Sequence, residues 1–173
     1  GIERPRVAVL NIGEEETKGN AQTKATYELL KAESRINFVG NVEGSYLFSG
    51  KVADVIVCDG FTGNIVLKLC EGFGLFIKKT LKDIFFRNAR TKVGAVLVKD
   101  SIDSLKKKMD YSEHGGAPFL GISKPVIKAH GSSNAACIFS AMRQAQSFAE
   151  AGIISDIEAN IEYMKLRTEA KAE

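Results

Sequence analysis

The 173-residue sequence predicts an α/β fold with a mostly parallel sheet. Two observations carry that prediction. Short apolar runs alternate with longer segments of helical period, which is the pattern of βαβ units. The first run, Arg6-Val-Ala-Val-Leu-Asn-Ile-Gly13, is continuously apolar instead of alternating, as a strand covered on both faces requires.

The elements follow in order. Residues 6–13 form a strand that starts almost at the first residue, which is not Met. A buried strand there implies neighbours on both sides, so the chain reads as a fragment or as lacking earlier residues, with an incomplete sheet. Asn11 to Gly19 leaves the strand. Ala21 to Glu33 reads as a helix with Ala25, Leu29 and Ala32 on one face. Residues 36–40 and 53–58 are short strands, the second running into Asp59-Gly-Phe-Thr-Gly-Asn64. A long helix is expected from about Asn64 to Phe86, then a basic helical stretch from Thr91 to Asp110 that includes Lys106-Lys-Lys108. Residues 114–122 and 125–128 read as a hairpin, with Ser123 and Lys124 between its strands. Helices from about Asn134 to Ala151 and from Ser155 to Lys171 complete the chain, with Ser132 or Ser133 as the expected cap of the first. No repeat or linker interrupts this, so residues 1–173 read as one α/β domain with an amphipathic helical arm at about 73–110.

Composition excludes several classes. With 45% hydrophobic and 26% charged residues the chain can build a core, and long disorder is excluded. No stretch approaches the roughly 18 uncharged apolar residues of a membrane-spanning helix, and no signal peptide is recognised. The cysteines, Cys58, Cys70 and Cys137, are odd in number and far apart, so they read as reduced core residues of a cytoplasmic protein. Two histidines and no cysteine cluster give no zinc site, so no metal is expected.

Charge is segregated. Residues 1–60 carry 7 basic and 9 acidic side chains, residues 61–110 carry 11 and 5, and residues 111–173 carry 6 and 7. The middle segment alone is strongly positive. It suits an acidic partner, an anionic lipid surface or nucleic acid, and it is equally the composition of a solvated lysine face. The absence of an aromatic-basic platform argues against nucleic acid.

Three strand-to-helix corners could hold an anion, because ligands of open α/β sheets sit beyond the carboxyl ends of the strands and helix N-termini offer unpaired N–H groups. Asp59-Gly-Phe-Thr-Gly-Asn64 has two glycines for close backbone approach, with Thr62 and Asn64 as polar groups. A capped tight turn would have the same composition. Lys128-Ala-His-Gly-Ser-Ser133 could turn Lys128 and His130 to one anion, although a histidine beside a helix start is commonly structural. Asn11-Ile-Gly-Glu-Glu-Glu-Thr-Lys-Gly19 could be a charge cluster, a magnesium site or solvated; it lacks the Ser/Thr and upstream glycine of a P-loop. Gly115 and Gly116 read as turn residues.

On a wheel of about 100° per residue, Leu69, Phe73, Phe76, Ile77, Thr80 and Ile84 form an expected core stripe. Lys78, Lys79 and Lys82 lie opposite, with Leu75 and Phe86 among them. Apolar residues between lysines suit a lipid interface or a partner helix. Val93 to Val98 carries no charge and fits either lipid or a dimer partner.

Five stretches, in order, carry a resemblance: Val-Ala-Val-Leu-Asn-Ile-Gly-Glu-Glu-Glu-Thr-Lys-Gly (7–19), Ile-Asn-Phe-Val-Gly-Asn-Val-Glu-Gly (36–44), Val-Cys-Asp-Gly-Phe-Thr-Gly-Asn (57–64), Asp-Tyr-Ser-Glu-His-Gly-Gly-Ala-Pro-Phe-Leu-Gly (110–121) and Pro-Val-Ile-Lys-Ala-His-Gly-Ser-Ser (125–133). Together with Met-Arg-Gln-Ala (142–145) they resemble the phosphate acyltransferase family of bacterial phospholipid synthesis, PlsX, in its C-terminal half. The resemblance implies a three-layer α/β/α sandwich related to phosphotransacetylases and isopropylmalate dehydrogenases. It implies transfer of a fatty acyl group from acyl-acyl carrier protein to inorganic phosphate, without an organic cofactor, by a homodimer lying peripherally on the cytoplasmic membrane face.

On this reading His130, Lys128 and Asn64 are the expected catalytic residues, and Asn11, Lys18, Asp59, Thr62, Gly63, Gly131 and Ser132 bind the phosphate or thioester. Leu75, Lys78, Lys79, Lys82, Phe86, Arg87, Arg90 and Lys92 are the expected contacts for carrier protein or membrane, with Phe85 and Lys106 to Lys108 beside them. These roles come from the corners and the charge pattern, since the resemblance fixes none of them. Two rivals remain: a short-chain phosphate acyltransferase using acyl-coenzyme A, and a non-catalytic fragment that binds membrane or partner.

Overall fold

The structure, a computed structural model, describes residues 2–109, 115–131 and 133–169, with the side chains of 106–109 and 162–169 left aside. It divides into two compact units, Gly1–Asp83 and Ile84–Glu173.

The first unit is built on a three-stranded parallel sheet of order β2-β1-β3, in which β1 is Arg6–Asn11, β2 Asn37–Glu43 and β3 Val55–Val57. The expected α/β class and parallel sheet are therefore present. Central β1 buries Ala8, Val9 and Leu10, which is why its sequence is continuously apolar. Ala8, Val42 and Ala53 form the core cluster, with Val52 and Ile56 packed against it. Helix α1, Ala21–Ala32, lies against β1 and β2. Its N-cap is Asn20, whose side chain accepts from the Thr23 amide. On the sheet-facing side Tyr27 is buried, with its ring edge-on to Phe38 at 5.0 Å. Between β1 and β2 the register shifts at Val7/Ala8. Gly40 takes a φ of 99° just beyond the extra residue, a conformation that favours glycine.

The start of β1 is fastened by charge. Arg6 donates through Nη2 to Asp54 Oδ1 at 2.9 Å and through Nε to Asp54 Oδ2 at 3.0 Å. It also reaches the Lys51 and Gly50 carbonyls.

Helix α2 is Gly60–Phe85. It starts four residues before the expected Asn64, because Asp59 caps it. The exposure of its residues contradicts the expected core stripe. Leu69, Phe73, Phe76 and Ile84 are exposed, and only Ile77 and Thr80 of that set are half-buried. No residue of α2 is buried. A helix that is apolar over most of its circumference does not mark a single core face in its own sequence. By length and composition alone α2 could cross a membrane, which the sequence reading did not anticipate. Two charges interrupt its apolar window, and they pair with each other as Lys68 and Glu71 at 2.8 Å.

In the second unit the basic helical stretch expected from Thr91 to Asp110 comprises two helices, α3 Ala89–Leu97 and α4 Lys99–Met109. Asn88 and Thr91 form a capping box that starts α3, and Val98, at φ −102° and ψ 11°, ends it. The expected hairpin is present but short: β4 Gly116–Pro118 pairs antiparallel with β5 Ile127–Ala129. Helix α5, Ala135–Glu150, packs on both strands. Gly115 belongs to that packing. Its φ is 73°, and a Cβ there would overlap the α5 backbone at Ser140 and Ala141, so it serves a close approach as well as a turn. The α5 cap is Asn134, which accepts from the Cys137 amide, and not Ser133. Gly152, at φ 68°, separates α5 from α6, Ile153–Glu169. Of the three cysteines only Cys137 is a core residue. Cys58 is exposed and Cys70 is half-buried, contrary to expectation.

Candidate active site

In the first unit the chain leaves β1 through α1 to β2 on one side, while β3 lies on the other. That reversal in strand order is where open α/β sheets form a crevice. A cleft of about 220 Å³ lies there, lined by Val9, Gln22, Thr23, Thr26, Val57, Cys58 and Asp59. Val9 and Val57 are register partners on adjacent strands and supply apolar surface. Gln22, Thr23 and Thr26 come from the first turns of α1. Thr23 and Thr26 donate their hydroxyl protons to the Asn20 and Gln22 carbonyls.

Asp59 sits two residues beyond Val57 and joins the cleft to the start of α2. Its Oδ1 accepts from the Thr62 amide at 2.9 Å, and its Oδ2 accepts from the Thr62 hydroxyl at 2.6 Å. These donors hold its carboxyl below the usual range, so it is ionised at neutral pH. The anion-holding end of α2 is thereby occupied by its own carboxylate. Gly63 follows, and a Cβ there would lie 2.9 Å from Cys58 Sγ, so a larger residue would have to displace the thiol. Partial burial, and then the Asp59 charge, push the Cys58 thiol up. A protonated thiol is a poor nucleophile, which argues against an acyl-cysteine intermediate at this position.

Asn11 ends β1, and Lys18 lies in the loop between β1 and α1. Asn11 bridges that loop, accepting from the Ile12 amide at 2.9 Å and donating to the Lys18 carbonyl at 3.1 Å. The Lys18 ammonium is exposed, 4.0 Å from Glu15. Neither residue is among those lining the cleft. Asn64 is exposed on the first turns of α2.

The second unit carries the other candidates. Lys128 is exposed on β5, between half-buried Ile127 and Ala129. His130 and Gly131 follow, both exposed, and the His130 carbonyl accepts from the Ser133 amide at 3.1 Å. The Ser133 hydroxyl is buried and has no hydrogen-bond partner among the described residues. Ser132 and His114 lie outside the described residues. The structure thus groups Asp59, Thr62 and Gly63 at one corner, and Lys128, His130 and Gly131 at another. Sequence reasoning missed Gln22, Thr23, Thr26 and Cys58. The available signal was that the helix following a β-strand turns its first exposed polar residues toward the carboxyl edge of the sheet.

The pattern of a family described as fatty acid synthesis protein matches residues 1–156. The chain belongs to that family. A phosphate acyltransferase of Lysinibacillus sphaericus is 51% identical over 96% of this chain and 50% of its own length. Those of Thermoanaerobacterium thermosaccharolyticum and Listeria monocytogenes are 52% and 48% identical, over 93% and 95% of this chain. The chain spans about half the length of these curated relatives. In this family member the five motifs named above fall inside the matched span, as the sequence reading expected.

Proposed function

We propose that this chain is part of an enzyme that transfers a fatty acyl group from acyl-acyl carrier protein to inorganic phosphate, giving acyl phosphate for phospholipid synthesis. The observation that carries the reading is its similarity, at about half identity, to proteins named phosphate acyltransferase over nearly all of its length. The Asp59–Asn64 corner adjoins a cleft at the carboxyl edge of the parallel sheet, through Asp59 in its lining.

In the reaction a phosphate oxygen adds to the thioester carbonyl. The carbon–sulfur bond then breaks, and the thiolate leaves and takes a proton from the medium. A thiolate departs readily, so positioning and charge carry most of the catalysis. In the first unit Asn64 is proposed to orient an attacking phosphate, with Asn11, Lys18, Thr62 and Gly63 as binding residues; in the second, Lys128 and His130 are proposed to offset anionic charge, with Gly131 and Ser132 as binding residues. No organic cofactor and no metal takes part in this scheme.

The test is phosphate-dependent thiol release from acyl-acyl carrier protein, with the acyl phosphate trapped as hydroxamate. Turnover should fall at least about a hundredfold in His130→Ala and in Asn64→Ala, the usual scale for a lost catalytic group. Full activity in both variants refutes the placement, and a preference for acyl-coenzyme A favours the short-chain rival.

A second reading concerns the surface. Leu75, Phe86, Val96 and Leu97 are exposed by 65% or more, in a stretch of sequence that also carries Lys78, Lys79, Lys82, Arg87, Arg90 and Lys92. This composition fits peripheral contact with anionic lipid, or docking of the acidic carrier protein. Changing Leu75 and Phe86 to Glu should reduce co-sedimentation with anionic liposomes. Unchanged sedimentation together with a loss of dimer, read by analytical ultracentrifugation, would assign the patch to a homodimer interface.

A further inference from the structure

The loop joining β1 to α1 is held by a device that the functional reading does not use. Glu16, at its middle, accepts two hydrogen bonds on the same oxygen. Tyr27 Oη donates to Oε1 at 2.9 Å, and Lys31 Nζ donates to it at 2.8 Å. Both donors stand on α1, one turn apart, and the Lys31 ammonium also lies 5.6 Å from the Tyr27 ring centroid. The Tyr27 ring is fixed in the core against Phe38, so its hydroxyl is a stationary point to which the loop is tied.

Other ties act on the loop backbone. Buried Asn41 of β2 donates to the Glu15 carbonyl at 2.9 Å, and the Lys18 amide donates to that same carbonyl at 3.1 Å. Asn11 holds the Lys18 carbonyl. Loop residues Glu15 and Lys18 also shield buried Gly13, where a Cβ would lie 2.7 Å from Glu15 Oε2. Lys18 is therefore carried on a backbone fixed from β1, β2 and α1 together.

We propose that Glu16 is a positioning residue: through Tyr27 and Lys31 it latches the 12–19 loop and so holds Lys18 in place for the anionic substrate. This rests on the phosphate-binding role given to Lys18 above. An exposed ion pair contributes little to global stability. The latch therefore acts on where the loop sits, with little effect on whether the domain folds. The raised Lys31 and lowered Glu16 pKa values, each caused chiefly by their mutual hydrogen bond, agree with a closed latch at neutral pH.

Two measurements on Glu16→Ala test it. Amide hydrogen exchange at residues 12–19 should quicken by about tenfold, the equivalent of one charge-assisted hydrogen bond. In the acyl transfer assay, the KM for inorganic phosphate should rise by a similar factor while kcat changes less. Glu16→Gln keeps an acceptor for Tyr27 and Lys31 and should recover part of both losses. Tyr27→Phe keeps the core ring, removes one donor and serves if Glu16→Ala fails to fold. Faster exchange with an unchanged phosphate KM reduces Glu16 to a structural role and overturns the proposal, as does wild-type exchange in the Ala variant. A wild-type enzyme unable to use phosphate overturns the functional reading and the positioning role with it. An active wild type with unresponsive variants overturns the positioning role alone.

Discussion

Gly19 marks the tightest steric demand in the first unit. Its φ is 97°, and a Cβ there would meet Asn11 Oδ1 at 2.6 Å and overlap the Thr23 hydroxyl. Both neighbours are committed, Asn11 to the loop and Thr23 to the Asn20 carbonyl. Gly19→Ala should therefore cost about 1–3 kcal/mol for the backbone conformation alone, read as a lower urea midpoint. A midpoint within error of wild type would show that the loop can reshape freely. Single residues were only partly legible in the sequence. The 59–64 corner was legible from its two glycines and polar residues; that Asp59 uses its carboxylate to cap α2 is visible only in the structure. Which of Ser132, Ser133 and Asn134 caps α5 was not legible, since three polar residues in a row all suit the position and only backbone geometry selects Asn134.

At the scale of elements, α2 separates what periodicity can reveal from what it cannot. Its existence was readable from a long proline-free segment of helical period, although its start at Gly60 was not. Its orientation was not, because the arc from Leu69 to Ile84 is matched by apolar residues on the flanks. The consequence is measurable. Phe73 is 59% exposed, so Phe73→Ser in this chain should shift stability by only about 0.5 kcal/mol, the range of surface substitutions. A buried phenylalanine would instead cost about 3–5 kcal/mol on truncation. Chemical denaturation distinguishes the two, and a loss on the larger scale would restore the core stripe. The split of the basic segment into α3 and α4 was hidden for a related reason: Asn88 and Thr91 cap locally, inside a run whose composition is helical throughout.

For the whole molecule, the family was legible because its motifs are corner sequences, and corners are where backbone geometry restricts residue choice most. The alternation of strands and helices was legible for the same reason that the parallel sheet is buried. What composition could not reveal is how the carboxylates are distributed in energy. Asp54, Glu16 and Asp59, all in the first unit, have folded pKa values below their ordinary ones. For Asp54 the hydrogen bonds from Arg6 bring it to about 2, from 3.8. A group depressed on folding contributes stability that is fully present above its unfolded pKa and is lost as pH falls through the folded one. The Arg6–Asp54 contribution should accordingly be intact at neutral pH and fade between about pH 4 and pH 2. Asp54→Asn removes the charge at every pH. The variant should be less stable than wild type at pH 7, and the difference should shrink as both are titrated below pH 4, followed by thermal unfolding. A gap that stays constant down to pH 2 would mean that Arg6 binds the loop through the Gly50 and Lys51 carbonyls, and that the ion pair is incidental to how β1 is fastened.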